Sequence, residues 1–455
     1  MSINNYVQGC HLLNHDDVIG TRRVSFILYL PDPEEPWQPE YGGALELYPV
    51  VKKGVPANVP SKTIPPKWNQ FVFFTVQPGH SFHSVEEVVV PHKGRLSISG
   101  WFHLPLPHEQ GYAESMAICE SEGFLTSQAS LQQLVHFSFL KLPICAHPLL
   151  QEAGAEVEYT TYDSITDPLE VDLILSSEDV QYLKKYINED YLTAKSYRRI
   201  AQTFIEDSLI QMDSFLRPEL ASKIKKMIQR QDLADGFSPF VMSAHDSCQN
   251  DSWVIQGPPH KQRFMTLAAD AQHAGLAKEI AELQILFTSS PFKKLLTTLT
   301  TLTLVSYNVK ARRFRPGLDY TLAASHPVES ILDVTLNLSP GGMWQNTRLG
   351  GWECYMPGAE DDEHDPAVYA GGKEEEEEDG PLLTAEPAWN RLQIVLRDAG
   401  VLHFVKYISA GADESRWDIR AEYEYIDIPS DDESDEEEEE EEMEEDAKRV
   451  EDIGR

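Results

Sequence analysis

KWNQFVFFTV (residues 67–76) and AWNRLQIVLR (residues 388–397) decide how this chain is read. Each places Trp-Asn directly before a run of aromatic, β-branched and aliphatic residues of strand length. Such a run, bounded by turn residues, is expected to form a strand. Two more pairs of segments recur in the same order. EYGGALELY from Glu40 matches RLGGWECYM from Arg348, and RRVSFILYLP from Arg22 matches ESILDVTLNLS from Glu329. Shared Trp-Asn and Gly-Gly pairs in matching positions imply an internal duplication, read as two tandem β domains.

The strands around these segments are short. Turn segments such as PDPEEP from Pro31 and PGH from Pro78 separate them, which suits a barrel or sandwich. From about Ser176 the pattern becomes helical. SSEDVQYLKKYINEDYL opens with a serine cap and acidic first turn, and PELASKIKKMIQRQ from Pro218 and LAADAQHAGLAKEIAELQILF from Leu267 follow. The chain is therefore expected to be mainly β with a helical connector. The expected division is a first barrel at 1–110, a connector at 111–300 that is largely helical from about 176, and a second barrel at 301–428. An acidic loop at 360–379 and an acidic tail at 429–455 are expected to be disordered.

The net charge of −36 over 455 residues is concentrated in KEEEEEDG from Lys373 and SDDESDEEEEEEEMEEDAKR from Ser430. Runs of like charge repel themselves and stay solvated. They disfavour direct nucleic-acid binding and suit basic protein partners. No apolar run is long enough for a membrane span, and the N-terminus carries no secretion signal. The 5 cysteines are scattered without a Cys-x-x-Cys pair, which suits a reducing cytoplasm or nucleus.

LLNHDDVIG (residues 12–20) carries the candidate chemistry. On an extended chain His15 and Asp17 share one face and Asp16 takes the other. Among 15 histidines only His15 is followed two residues later by aspartate. A facial site of two histidines and one carboxylate needs a third ligand. His83, in PGHSFHSVEEV, is the candidate, and His80 is its competitor. Arg95 and Ser97 follow on one face of RLSISGWFH, and Tyr29 ends its strand. The order His-x-Asp, distant His, Arg-x-Ser fits a 2-oxoglutarate-dependent iron oxygenase. Three ligands on one face leave open positions on Fe(II) for the ketoacid and O2, and an arginine fork matches a carboxylate. Each member also has a plain structural reading: His83 as a loop histidine, Arg95 as a surface strand residue, Tyr29 as a core aromatic.

The stretches HDDVIGTRRVSFILYL, GGALELY, WNQFVFF, SFHSVEEV and RLSISGWFH, with ARRFRPGLDYTL, WNRLQIVLRD and LHFVKYI, are similar to the eukaryotic ribosomal prolyl hydroxylases. These are oxygenases of the cytoplasm and nucleus, built from two tandem double-stranded β-helix (jelly-roll, cupin-like) domains. The pattern is read as fungal, with a shortened N-terminus. The resemblance implies that His15, Asp17 and His83 bind Fe(II) and that Arg95 binds 2-oxoglutarate, with help from Tyr29 and Ser97. It implies O2 and ascorbate as further requirements. It also implies a proline on a small-subunit ribosomal protein as substrate, with links to translation termination and oxygen-linked regulation.

Two departures shape the expectations. Only a few residues precede His15 and can supply little more than one strand, so the first barrel is expected to lack its opening layer and to expose apolar surface and an unpaired strand edge. In the second copy Ala323, Ser325 and Phe404 fall opposite His15, Asp17 and His83, so it is expected to be a non-catalytic scaffold or partner-binding module. The alternative for the whole chain is a non-catalytic regulatory scaffold that uses this barrel and the acidic tail.

Overall fold

Both Trp-Asn pairs stand at the start of a strand, and both asparagines are left-handed, with φ 55° at Asn69 and 54° at Asn390. Asparagine tolerates this conformation better than most residues. In the second copy the Asn390 amide also clips the chain, accepting from Leu216 N at 2.7 Å and donating to Leu216 O at 3.1 Å. The computed structural model describes residues 1–19, 21–106, 108–122, 159–162, 175–269, 271–325, 330–358 and 381–426. The disorder expected for 360–379 and 429–455 concerns residues outside these.

The first unit contains β1 (Ser2–Tyr6), β2 (Leu12–His15), β3 (Arg22–Tyr29), β4 (Leu45–Leu47), β5 (Val50–Lys52), β6 (Val55–Pro56), β7 (Lys62–Ile64), β8 (Gln70–Thr75), β9 (His83–Val85) and β10 (Arg95–His103). They make two four-stranded antiparallel sheets, β1-β10-β3-β8 and β2-β9-β4-β7, plus the hairpin β5-β6. Ser2–Tyr6 pairs along β10 from Ser99 to Arg95, at one edge of its sheet. The apolar exposure lies on the outer face of this sheet, where Phe73 is 66% and Phe102 57% exposed.

The second unit contains β11 (Thr160–Thr161), β12 (Leu209–Asp213), β13 (Trp253–Gln256), β14 (Gln262–Leu267), β15 (Thr303–Phe314), β16 (Tyr320–Thr321), β17 (Ile331–Leu338), β18 (Glu353–Met356), β19 (Leu383–Ala385), β20 (Trp389–Arg397), β21 (Leu402–Val405) and β22 (Arg416–Ile426). Its large sheet runs β12-β20-β17-β22-β15-β14-β13, and the facing sheet is β19-β18-β21. Residues 175–300, read above as a connector, supply β12, β13 and β14 to this sheet. They also supply helices Ser177–Leu183, Ala194–Asp207, Pro218–Asp235, Gly275–Thr288 and Ser290–Thr300, whose apolar faces share one core with it.

β17 shows why the helices belong there. All eight of its residues are buried. Leu332, Val334, Leu336 and Leu338 face the helices, in the same core as Ile200, Phe204 and Leu296. Asp333, Thr335 and Asn337 alternate with them and are buried on the opposite face, where Asp333 meets Arg397 and Arg420. The strand keeps its apolar–polar alternation although both faces are covered, and its buried polar face is held by ion pairs.

Strand register superposes the two units. Tyr29 pairs with Gln70 and Asn337 with Arg391, each one residue beyond Trp-Asn. Ser97 pairs with Tyr29 and Asp418 with Asn337; Asn4 pairs with Ser97 and Arg312 with Asp418. In the facing sheets Leu47 pairs with His83 and Tyr355 with His403. His15 pairs with His83, and Ala324 bridges His403. The second-copy counterparts of His15 and His83 are therefore Ala324 and His403, one residue away from Ala323 and Phe404. The counterpart of Asp17 moves from Ser325 to a position outside the described residues.

The units are joined by buried polar contacts. The fully buried Glu87 carboxylate accepts from Ser409 Oγ at 2.5 Å and Ala410 N at 2.7 Å. Glu46 Oε1 lies 3.2 Å from His245 Nε2. A buried carboxylate without such donors would be strongly destabilising. No helix among the described residues is long and apolar enough to cross a membrane.

Candidate active site

His15 ends β2 and His83 begins β9, and the two are register partners. Cross-strand partners on one face bring their side chains together. Their rings lie 4.2 Å apart between centroids. Asp17 joins them by a route the face alternation does not describe. The strand stops at His15, and Asp17 takes φ 59°. This left-handed turn swings the carboxylate back, with Oδ1 3.4 Å from His15 Nε2 and Oδ2 3.4 Å from His83 Nε2. His15, Asp17 and His83 form a three-residue cluster with ligand atoms within 4.8 Å of one another.

Both histidines are oriented by backbone. His15 Nδ1 lies 2.8 Å from Leu13 O, and His83 Nδ1 lies 2.8 Å from Ser81 O. A carbonyl only accepts, so Nδ1 carries the proton and the Nε2 lone pair faces the cluster. That is the donor set an Fe(II) site of this kind requires. Burial works to raise the Asp17 pKa, but the two imidazoles beside it outweigh burial and hold the carboxyl far below its usual range. His83 is pushed down by burial and then by the charge of His15.

Asp16 has a separate task. Its Oδ1 accepts from Val18 N and its Oδ2 from Gly79 N, both at 3.3 Å, and its carbonyl accepts from Ser81 Oγ at 2.7 Å. It ties the metal loop to the turn that delivers His83. His80, the competitor from sequence, is exposed in that turn and outside the cluster.

Arg95 is 2% exposed at the start of β10. Its Nε donates to Gly43 O at 2.5 Å and its Nη2 to Tyr29 OH at 3.3 Å. The Tyr6 and Tyr29 rings lie 5.1 and 4.9 Å from the guanidinium. Burial lowers its pKa, and the groups that interact with its charge are Tyr29 and Tyr6. No carboxylate among the described residues forms an ion pair with it. Gly43 is required at its position: φ is 70°, and a Cβ would stand 2.9 Å from Arg95 Cδ. Ser97, 2% exposed, lies between Asn4 and Tyr29 in the sheet.

Trp101 joins the two halves of the site and was missed in the sequence. Its Nε1 donates to Asp17 Oδ2 at 3.0 Å, and Arg22 covers its ring at 3.7 Å. The signal was available, since Arg95, Ser97, Ser99 and Trp101 share a face by alternation. Phe74, meeting the His83 ring edge-on at 4.7 Å, carried no such signal.

Residues 1–103 match the model of the 2OG-Fe(II) oxygenase superfamily. Residues 178–432 match the C-terminal domain model described as "Oxoglutarate and iron-dependent oxygenase degradation C-term". The prolyl 3,4-dihydroxylase OGFOD1 of Ostreococcus tauri is 37% identical over 438 residues, covering 93% of this chain and 77% of that protein. The prolyl 3-hydroxylase sudestada1 of Drosophila melanogaster is 28% identical over 424 residues, covering 90% of this chain and 65% of that protein. A solved Trichoplax adhaerens prolyl hydroxylase in complex with a peptide fragment of the hypoxia inducible factor oxygen degradation domain overlaps 56% of this chain and 95% of its own. Its identity is 13% and its TM-score 0.31, too low to add to the strand pairing above. Fold and site together define a 2-oxoglutarate- and Fe(II)-dependent dioxygenase, which also consumes O2. The chain belongs to the OGFOD1 family of prolyl hydroxylases.

Proposed function

We propose that the first barrel hydroxylates a prolyl residue of a small-subunit ribosomal protein, with the metal on His15, Asp17 and His83 and the 2-oxoglutarate carboxylate on Arg95. Fe(II) held there supplies O2 activation coupled to decarboxylation of the ketoacid. The chain's own residues do the rest. Leu13 O and Ser81 O turn both Nε2 lone pairs toward the cluster, where they would bind the metal. Trp101 fixes the Asp17 carboxylate. Arg95, tied to Gly43 O and Tyr29 OH, holds the far carboxylate of the cosubstrate, and Ser97 offers a further hydroxyl on the same strand face.

The observation that carries this reading is a buried arginine without a carboxylate partner among the described residues, on the strand that also reaches the metal cluster. A buried charge left unpaired is costly, so the site is built for an anion from outside. Supporting the ribosomal substrate are the long acidic segments, which suit a basic protein. A role in translation termination and oxygen-linked regulation, action in cytoplasm and nucleus, and ascorbate as auxiliary reductant belong to the same proposal. The test is succinate release with Fe(II), 2-oxoglutarate and proline-containing peptides of small-subunit ribosomal proteins. The expected result is succinate matched by peptide gaining one oxygen at proline. Turnover on unrelated prolyl peptides but none on these would overturn the ribosomal assignment.

A further inference from the structure

The register that superposes the barrels also superposes two arginines. Tyr6 faces Arg95 across β1 and β10, and Phe314 faces Arg416 across β15 and β22. Arg416 Nη1 donates to Gly351 O at 2.7 Å, as Arg95 does to Gly43 O, and each glycine is the second of its Gly-Gly pair. The Phe314 ring lies 5.3 Å from the Arg416 guanidinium, where Tyr6 lies 5.1 Å from Arg95. The backbone frame around the cation is the same.

The surroundings differ in charge. Glu353 stands where the first barrel has Leu45, Asp418 where it has Ser97, and Arg312 where it has Asn4. Glu353 Oε1 accepts from Arg416 Nη2 at 2.8 Å and Arg312 Nη2 at 3.0 Å. Asp418 takes Arg312 through both oxygens, at 2.7 and 3.0 Å, and its Oδ2 lies 2.8 Å from Arg416 Nη2. All four side chains are buried, none more than 4% exposed. Two guanidiniums and two carboxylates cancel, whereas in the first barrel Arg95 has no carboxylate partner among the described residues.

We propose that the second barrel holds a latent carboxylate-binding site on Arg416 and Arg312, plugged by the side chain of Glu353. The ligand class is a small monocarboxylate or one end of a dicarboxylate. Glu353 is the plug rather than Asp418 for two reasons. It replaces an apolar residue of the first barrel, so its carboxylate enters space that barrel fills with hydrocarbon. It also engages the arginines through one oxygen only, Oε2 being buried without a hydrogen-bond partner among the described residues. Truncating it leaves an uncompensated buried positive charge, which strongly favours uptake of an anion of the same chemistry. The plug does not depend on whether Arg95 binds 2-oxoglutarate.

The test is Glu353→Ala in the full chain. Thermal unfolding is followed in propionate and in chloride at matched ionic strength. The variant is expected to melt well below the parent in chloride and to recover in propionate along a saturable curve, while the parent responds equally to both salts. If the variant is recovered folded only from propionate buffer, that is the same rescue and supports the plug. An equal response of the variant to the two anions, or failure to fold in both media, overturns it. A parent chain with its own saturable propionate response overturns it too, because the site would then be open.

Discussion

The two barrels of this chain are built on one strand register and hold their interior charges in opposite ways. In the first, Arg95 is buried against Tyr6, Tyr29 and a glycine carbonyl, and a His-Asp-His cluster lies on the facing strands. In the second, the counterpart arginine is neutralised by Glu353 and Asp418. The counterpart of His83 is His403, whose Nε2 sits 2.7 Å from Arg420 Nη1. Burial first, and then Arg420, Arg397, Arg312 and Arg416, hold its pKa well below the usual range. An arginine only donates, so the His403 Nε2 lone pair is taken by Arg420 and is not free for a metal. The difference teaches that a binding site here is a deliberate imbalance of charge, and that an inert copy is one in which the chain supplies its own counter-ions.

The comparison can be broken most severely at the metal. Asp17→Ala removes the carboxylate between two imidazoles, and turnover and metal retention should both fall to background. Metal analysis after anaerobic loading checks this. Retention of tightly held metal would mean the second barrel or another cluster binds it.

Leu45→Glu transplants the second barrel's carboxylate into the first. It should place an internal anion on Arg95 and compete with the cosubstrate. With charge-assisted hydrogen bonds worth about 1.5–3 kcal/mol each, the affinity for 2-oxoglutarate should fall by at least about a hundredfold. Calorimetric titration measures the loss. Unchanged affinity would separate Leu45 from the anion's path.

Trp101→Phe keeps the ring and removes one N–H from Asp17 Oδ2. Loss of such an outer hydrogen bond costs about 10–100-fold in metal affinity, so Co(II) titration should show a shift of that size while 2-oxoglutarate binding changes less. Equal loss of both would make Trp101 a packing residue.

The smallest expected effect is at the seam between the barrels. Burial and the nearby Glu46 charge push Glu86 up from its ordinary 4.5 to about 7. The protonated form is favoured in the fold. Its stabilisation is therefore complete below about pH 4.5 and lost as pH rises through about 7. Glu86→Gln should flatten the melting temperature across that interval, and an unaltered pH profile there would exclude Glu86 as the group responsible.

Much of this was legible in the sequence. The Trp-Asn and Gly-Gly pairs mark the duplication because they sit where backbone geometry is demanding: Asn69, Asn390, Gly43 and Gly351 all have positive φ. The site residues are legible because His-x-Asp, His and Arg-x-Ser occur in one order. The register of the second copy was not, because an ungapped comparison cannot see that His403 lies 14 residues after Trp389 whereas His83 lies 15 after Trp68. One residue of slip exchanges the faces of a strand, which is how Phe404 took the place of His403. Nor could periodicity show that the helices before residue 300 share a core with the second sheet, since apolar faces do not name their partners.

The central claim is that one barrel is live and the other self-satisfied. Metal stoichiometry of the full chain tests it most directly, with Fe(II) or Co(II) loaded without oxygen and counted per chain, alongside Asp17→Ala. The account predicts one tightly held ion in the parent and none in the variant. Two ions in the parent, or one remaining in Asp17→Ala, would contradict it.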